Sequence, residues 1–283
     1  MIATIRNLLA SLVIVHAFVF PLIGQQINYG SNKGKYIDVL GREIYYEEYG
    51  KGDTVLMLHG GPGSIANFSR IIPELSRNYR VIAMDTPGQG HSERAENVSY
   101  QLLAENASAF IDKLGIKKCY VVGWSDGACT ALLLAANRPD AISRVFVSGA
   151  FSNIDGFTDE AKSFWATITP EIVEQTWGGW HLAYQKRYPR NDWKILINDV
   201  REMVNDNIYI TDEKLKRISC KVLLAYGDRD SFTMEHIVFL SKTIRDTELM
   251  ILPGTGHSTF DEQPEIMTLA IERFFRSSKE ETK

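Results

Sequence analysis

The chain reads as an α/β fold, a mostly parallel sheet covered by helices on both faces, with a helical cap inserted after the sixth strand. Three observations lead there. Short apolar runs alternate with stretches of helical periodicity over most of the sequence. The alternation stops for about sixty residues after Gly149–Asn153 and then resumes. Every glycine-rich motif falls at the carboxyl end of an apolar run, where an open parallel sheet forms its crevice.

The elements follow in order. Lys35–Leu40, Gly41-Arg42 and Glu43–Tyr49 read as an antiparallel hairpin. Thr54–Leu58 is a short strand ending in His59-Gly-Gly-Pro-Gly63, and a helix is expected over about Asn67–Asn78. Tyr79–Met84 is the next strand, ending at Asp85-Thr-Pro-Gly-Gln-Gly-His-Ser92. Ser99–Leu114 carries Leu102, Leu103, Ala107, Phe110, Ile111 and Leu114 at helical spacing. Cys119–Val122 is an apolar strand that runs into Gly123-Trp-Ser-Asp-Gly127 and a helix from Ala128, and Arg144–Ser148 is the sixth strand. The interrupting stretch reads as helices and loops and holds Trp165, Trp177, Trp180 and Trp193, four of the five tryptophans. Lys221–Gly227, a helix over Met234–Ile244, a strand at Glu248–Leu252 and a helix over Gln263–Arg276 complete the pattern. The expected organisation is a leader over 1–24, a core over 25–152, a cap over 153–216 and the rest of the core over 217–283.

Composition narrows the function classes. A hydrophobic content of 45% with 23% charged residues suits a globular protein with a sizeable core. A formal charge of −4 gives no electrostatic case for nucleic acid. Leu8–Ile23 is almost wholly apolar, interrupted by His16 and Pro21, and follows a single cation at Arg6. It reads as a secretory signal peptide, so the mature protein is expected to be secreted or periplasmic, without a stable membrane span. Leu22 is large for the position three residues before a cut, which leaves an uncleaved membrane anchor as the alternative. Cys119, Cys129 and Cys220 lack zinc spacing and read as buried small apolar residues. No metal or organic cofactor is expected.

The chemistry concentrates at Gly123-Trp-Ser-Asp-Gly127. A G-x-S-x-G box between a strand and a helix puts the serine on a sharp turn, its hydroxyl above the sheet. The helix that follows aims its free N–H groups at the place where an oxyanion develops. A serine needs a base, and the base needs a carboxylate to fix its tautomer. Of the six histidines, His257 alone lies in a loop between the last strand and the last helix, far enough beyond the serine for an acid strand to intervene. The acid is Asp228 or Asp230: Asp228 is placed to hold the turn, and Asp230 sits further out, toward His257, and is favoured. The N–H of Asp126 and one from the His59–Gly63 loop make the oxyanion hole; Pro62 has none, so Gly61 is chosen. Trp124 and Asp126 flank the serine and are candidates for contact with substrate. The cap aromatics are expected mainly to fill the cap's own core, with at least one facing the cleft.

Five motifs together resemble the α/β-hydrolase superfamily: His59-Gly-Gly-Pro-Gly63, Asp85-x-Pro-Gly-x-Gly-x-Ser92, Gly123-Trp-Ser-Asp-Gly127, Gly227-x-x-Asp230 and Gly256-His257. The resemblance implies that fold, a Ser125–His257–Asp230 triad, and an aspartate at 230 rather than 228. A serine nucleophile argues against epoxide hydrolases and haloalkane dehalogenases. The nucleophile box is similar to that of the valacyclovirase-like (biphenyl hydrolase-like) enzymes, whose aspartate after the nucleophile receives the substrate's α-amino group. The His59–Gly63 loop instead resembles prolyl iminopeptidases, whose nucleophile box differs from this one. The implied function is a serine hydrolase of a small carboxylic ester or related acyl compound. The alternatives are an aminopeptidase, a C–C bond hydrolase, or a non-catalytic receptor of the same fold.

Overall fold

A computed structural model describes residues 34–206 and 209–280. The leader expected over 1–24 lies outside them. Among the described residues no helix is long and apolar enough to cross a membrane. The strands are β1 (Lys35–Val39), β2 (Arg42–Tyr49), β3 (Asp53–Leu58), β4 (Tyr79–Met84), β5 (Cys119–Trp124), β6 (Ile142–Ser148), β7 (Lys221–Gly227) and β8 (Thr247–Leu252). They form one sheet in the order β1-β2-β4-β3-β5-β6-β7-β8. The β1–β2 and β2–β4 pairs are antiparallel, and all the others are parallel. This is the α/β-hydrolase architecture that the motifs implied.

The helices are α1 (Ile72–Leu75), α2 (Tyr100–Lys113), α3 (Asp126–Asn137), α4 (Asp159–Thr167), α5 (Pro170–Thr176), α6 (Trp180–Arg187), α7 (Trp193–Asn205), α8 (Asp212–Arg217), α9 (Met234–Thr243), α10 (Thr259–Glu262) and α11 (Pro264–Glu280). The two-residue period of the strands splits the apolar side chains into two cores. Leu56 and Leu58 of β3, Val121 of β5 and Val147 of β6 face the side packed by α2 and α3. Val55 and Met57, Val122 and Phe146 face the side packed by α1 and α11. Burial on both faces explains why these strands are continuously apolar rather than alternating.

One expected helix takes a different form. The stretch expected over Asn67–Asn78 divides into a 3-10 turn at Ile65–Phe68 and the single turn α1. Ser64 caps the first piece, and Asp85 Oδ1 accepts the Ile65 N–H at 2.9 Å, so the turn is held from outside the segment. A proline near the start of the second piece fits a fresh helix start there. The closing helix runs from Pro264 to Glu280, and α10 precedes it as a separate turn.

Between β6 and β7 lie helices α4 to α8, with no strand among the described residues. Side chains of Thr158, Thr169, Asp192 and Thr211 cap α4, α5, α7 and α8. Polar ties hold the cap to the core. The Gly90 N–H donates to the Tyr184 hydroxyl at 2.9 Å, and the Tyr188 hydroxyl pairs with Ser64 Oγ at 2.9 Å. Asn191 Nδ2 donates to the carbonyls of Gly90 and Ser92 at 2.9 and 2.8 Å. Arg94 and Asp199 add a bidentate pair, both contacts at 2.9 Å.

Candidate active site

Ser125 stands between β5 and α3 with φ 54° and ψ −118°, a backbone state that L-residues seldom adopt. Its N–H donates to the Ser148 carbonyl at 2.9 Å, which ties the turn to the neighbouring strand. The box glycines are required by space. A Cβ on Gly123 would lie 2.4 Å from the Gly127 carbonyl oxygen, and one on Gly127 would lie 1.9 Å from that of Leu58. Helix α3 therefore packs its first turn directly on β3, and the serine projects above the sheet.

Loops that follow the last two strands complete a hydrogen-bonded line to this hydroxyl. His257 Nε2 lies 2.9 Å from Ser125 Oγ, and His257 Nδ1 lies 2.7 Å from Asp230 Oδ1. The Ser231 N–H also donates to Asp230 Oδ1, at 2.6 Å. Asp228, the other acid weighed, accepts the Thr255 N–H at 3.2 Å and braces the loop that carries the histidine. Burial works against a charged His257 ring, but the charge and hydrogen bond of Asp230 outweigh it, with smaller help from Asp126 and Glu262. The pKa of His257 accordingly stands above its ordinary 6.5.

The other described histidines are engaged elsewhere. The Thr86 N–H donates to His59 Nε2 at 3.0 Å, so the ring proton sits on Nδ1, 2.8 Å from the Gly60 carbonyl. Burial, partly offset by that carbonyl, lowers the pKa of His59 to about 4 and keeps the ring neutral. His236 accepts the Ser152 N–H at 3.2 Å, and its pKa is likewise lowered to about 4 by burial. His91 packs edge-on between Tyr45 and Tyr188, and His181 packs against Trp193. His16 lies outside the described residues.

The His59–Gly63 loop passes against the nucleophile turn. A Cβ on Gly60 would sit 2.9 Å from Ser125 Cβ, and one on Gly61 would sit 2.4 Å from Asp126 Oδ2. Asp126 is the first residue of α3, where a backbone N–H has no helical partner. Its side chain is buried, and Oδ1 accepts the Tyr100 hydroxyl at 2.7 Å. Oδ2 is buried without a normal hydrogen bond among the described residues. Burial raises the Asp126 pKa to about 6, against the opposing pull of Tyr100, His257 and the Gly61 backbone.

A cavity of about 460 Å³ opens above the serine. Ser125, Asp126 and His257 form part of its floor, and Phe151, Phe157 and Phe232 give it an apolar wall. Phe164 and Trp165 reach it from α4, so one cap tryptophan does face the cleft, whereas Trp193 is buried. Trp124, expected to contact substrate, does not line this cavity. Its indole N–H donates to the His257 carbonyl at 2.9 Å and its ring packs near the imidazole, so it acts as a brace for the histidine loop. The sequence reading missed Tyr100, which sits about twenty-five residues before its partner on a helix read only for its apolar face. It also missed Glu262, whose carboxylate accepts the Gly256 N–H at 2.9 Å. Among the described residues no group of histidine, cysteine and acidic side chains could hold a metal ion.

Comparison with known proteins agrees with the fold. A family model described as the alpha/beta hydrolase fold matches residues 53–176. The human protein named serine hydrolase BPHL is 27% identical over 238 residues, covering 78% of this chain and 79% of that one. The 2-hydroxy-6-oxo-6-phenylhexa-2,4-dienoate hydrolase of Comamonas testosteroni is 27% identical over 264 residues, covering 81% and 90%. Among solved structures, the meta-cleavage product hydrolase of Pseudomonas fluorescens IP01 superposes with a TM-score of 0.73 at 23% identity, over 87% of this chain and 98% of that one. These relatives are hydrolases.

Proposed function

We propose that this chain, a member of the α/β-hydrolase superfamily, is a serine hydrolase of small carboxylic esters or related acyl compounds. One observation carries the reading: the unbroken hydrogen-bonded line Ser125–His257–Asp230, at 2.9 and 2.7 Å, on the floor of a partly apolar cavity. Ser125 Oγ attacks the acyl carbon while His257 Nε2 takes its proton. Asp230 holds Nδ1 and steadies the imidazolium, and the N–H groups of Gly61 and Asp126 receive the oxyanion. His257 then gives its proton to the leaving group. Water, deprotonated by the same ring, releases the acid and restores the serine.

The test is hydrolysis of p-nitrophenyl acetate by the wild type and Ser125→Ala, with labelling by a fluorophosphonate. Turnover and labelling that vanish together in the variant support the reading. Turnover that survives in the variant overturns it, and a protein that neither turns over nor labels favours the receptor reading.

A second reading concerns the acyl part. Among the described residues Asp126 keeps a buried carboxylate oxygen without a normal hydrogen bond, with the Gly61 backbone close by, and such a group can receive a substrate ammonium. The resemblance of the Gly123–Gly127 box to that of the valacyclovirase-like enzymes supports this reading. An α-amino ester should then outrun its acyl-only counterpart, and Asp126→Asn should erase that difference. An equal loss on both esters leaves Asp126 a structural residue.

A further inference from the structure

The cavity above Ser125 runs outward between α4 and the loop that follows β7. That outer part carries two charged side chains of opposite sign, Glu160 and Arg229, both exposed. Neither forms an ion pair with another described residue within salt-bridge distance. Glu160 has a local explanation. It sits with Asp159 in the first turn of α4, where the helix N-terminus favours an anion. Arg229 has no such explanation. It belongs to no helix, and the carboxylates beside it in sequence are engaged elsewhere, Asp228 with Thr255 and Asp230 with His257.

The backbone under Arg229 is firmly held. Its own N–H donates to the Thr255 carbonyl at 3.0 Å, and the next N–H, that of Asp230, donates to Gly227 at 3.3 Å. The loop that carries the guanidinium is therefore the loop that fixes the acid of the triad. His257 Nε2 is the atom that must deliver a proton to the departing group, so that group has to lie on the His257 side of the cavity. Arg229 lines the same cavity together with Asp230 and His257.

We infer that Arg229 is a specificity residue for the leaving group, and that the preferred substrate releases an alcohol or phenol bearing a carboxylate. The inference rests on the serine hydrolase reading. It is independent of the amino-ester reading, which concerns the acyl part. In the step involved, the bond between the acyl carbon and the leaving oxygen breaks as the tetrahedral adduct collapses to the Ser125 ester. The electron pair stays on the leaving oxygen, which takes the proton from His257 Nε2. The distant carboxylate takes no part in these bond changes; it pairs with the planar guanidinium fork, which suits a carboxylate better than an ammonium point charge does.

The experiment compares 4-acetoxybenzoate with 4-acetoxybenzamide, which differ only at the far end of the leaving group. The wild type is expected to favour the carboxylate ester at least tenfold in kcat/KM, mostly through KM. In Arg229→Gln the ratio should fall to about one, and Arg229→Lys should restore part of it. Added salt should lower the preference in the wild type. A ratio near one in the wild type, or a ratio unchanged in Arg229→Gln, overturns the inference. Binding of 4-hydroxybenzoate and 4-hydroxybenzamide to Ser125→Ala, followed by NMR, reads the same contact without turnover. Tighter binding of the benzoate, lost in Ser125→Ala/Arg229→Gln, supports the anion contact even if neither ester is hydrolysed by the wild type, a result that would count against the serine reading alone. Equal binding of the two phenols removes the anion contact whatever the protein does to esters.

Discussion

The Tyr100 hydroxyl donates to Asp126 Oδ1 at 2.7 Å, directly behind the nucleophile turn. Burial there raises the aspartate's pKa from 3.8 to about 6. The unfolded carboxyl ionises first as pH rises, so the folded state loses stability between those two values and carries the full penalty above the upper one. The gap corresponds to at most about 3 kcal/mol. Asp126→Asn removes the charge and keeps an acceptor for Tyr100. In urea denaturation the variant should gain about 1–3 kcal/mol over the wild type at pH 8 and nothing at pH 3.5. The same difference at both pH values would show that Asp126 is comfortable as an anion.

On the proposed mechanism, the raised His257 pKa should set the acid limb of catalysis. The ring must be neutral to take the serine proton, so kcat/KM should fall as pH drops, with its midpoint above 6.5. Asp230→Asn removes the carboxylate that outweighs burial. The midpoint should then move to lower pH while kcat falls by roughly 10³–10⁴-fold. A midpoint that stays put in the variant would assign the limb to another group.

Asp228 and Asp230 should separate cleanly. Asp228 is bonded to the Thr255 N–H rather than to the imidazole. Asp228→Ala should cost about 1 kcal/mol of stability and less than about tenfold in kcat/KM, whereas Asp230→Ala should cost at least about 10³-fold. Urea midpoints and ester kinetics on the two variants decide it. Comparable kinetic losses would mean that the acid is shared.

The backbone of Ser125 offers a fourth test. With φ at 54°, its Cβ is held in a strained region that glycine enters freely. Ser125→Gly should exceed Ser125→Ala in stability by about 1 kcal/mol, and both should be inactive. A glycine variant that melts at or below the alanine variant would show that the turn stores no strain.

Much of this was legible in the sequence because it rests on local rules. The strand carrying Val121 and Val122 is apolar on both faces, and the glycines at 123 and 127 are demanded by approaches of backbone to backbone. The order of Ser125, Asp230 and His257 along the chain matches the order of β5, β7 and β8 across the sheet, with β6 between the first two. The fate of Trp124 was not legible, because its partner is a carbonyl more than a hundred residues away. The same holds for Tyr100, whose hydroxyl is invisible to a pattern that scores a helix by its apolar stripe. The break between the 3-10 turn at Ile65 and α1 also depends on a distant residue, Asp85. Local propensity carried the elements; the braces between loops needed the three-dimensional contacts.

The sheet order also imposes a timetable on synthesis. Ser125 is positioned by β3, β5 and β6, all made before the cap, while Asp230 and His257 arrive with β7 and β8, the last two strands at one edge. A ribosome-bound chain can therefore shape its serine turn long before the groups that would activate it have left the exit tunnel. Until the final strand docks, the hydroxyl lacks the base that the proposed mechanism requires, and on that mechanism a chain cut short before residue 257 should be inert toward esters however well its first half has folded.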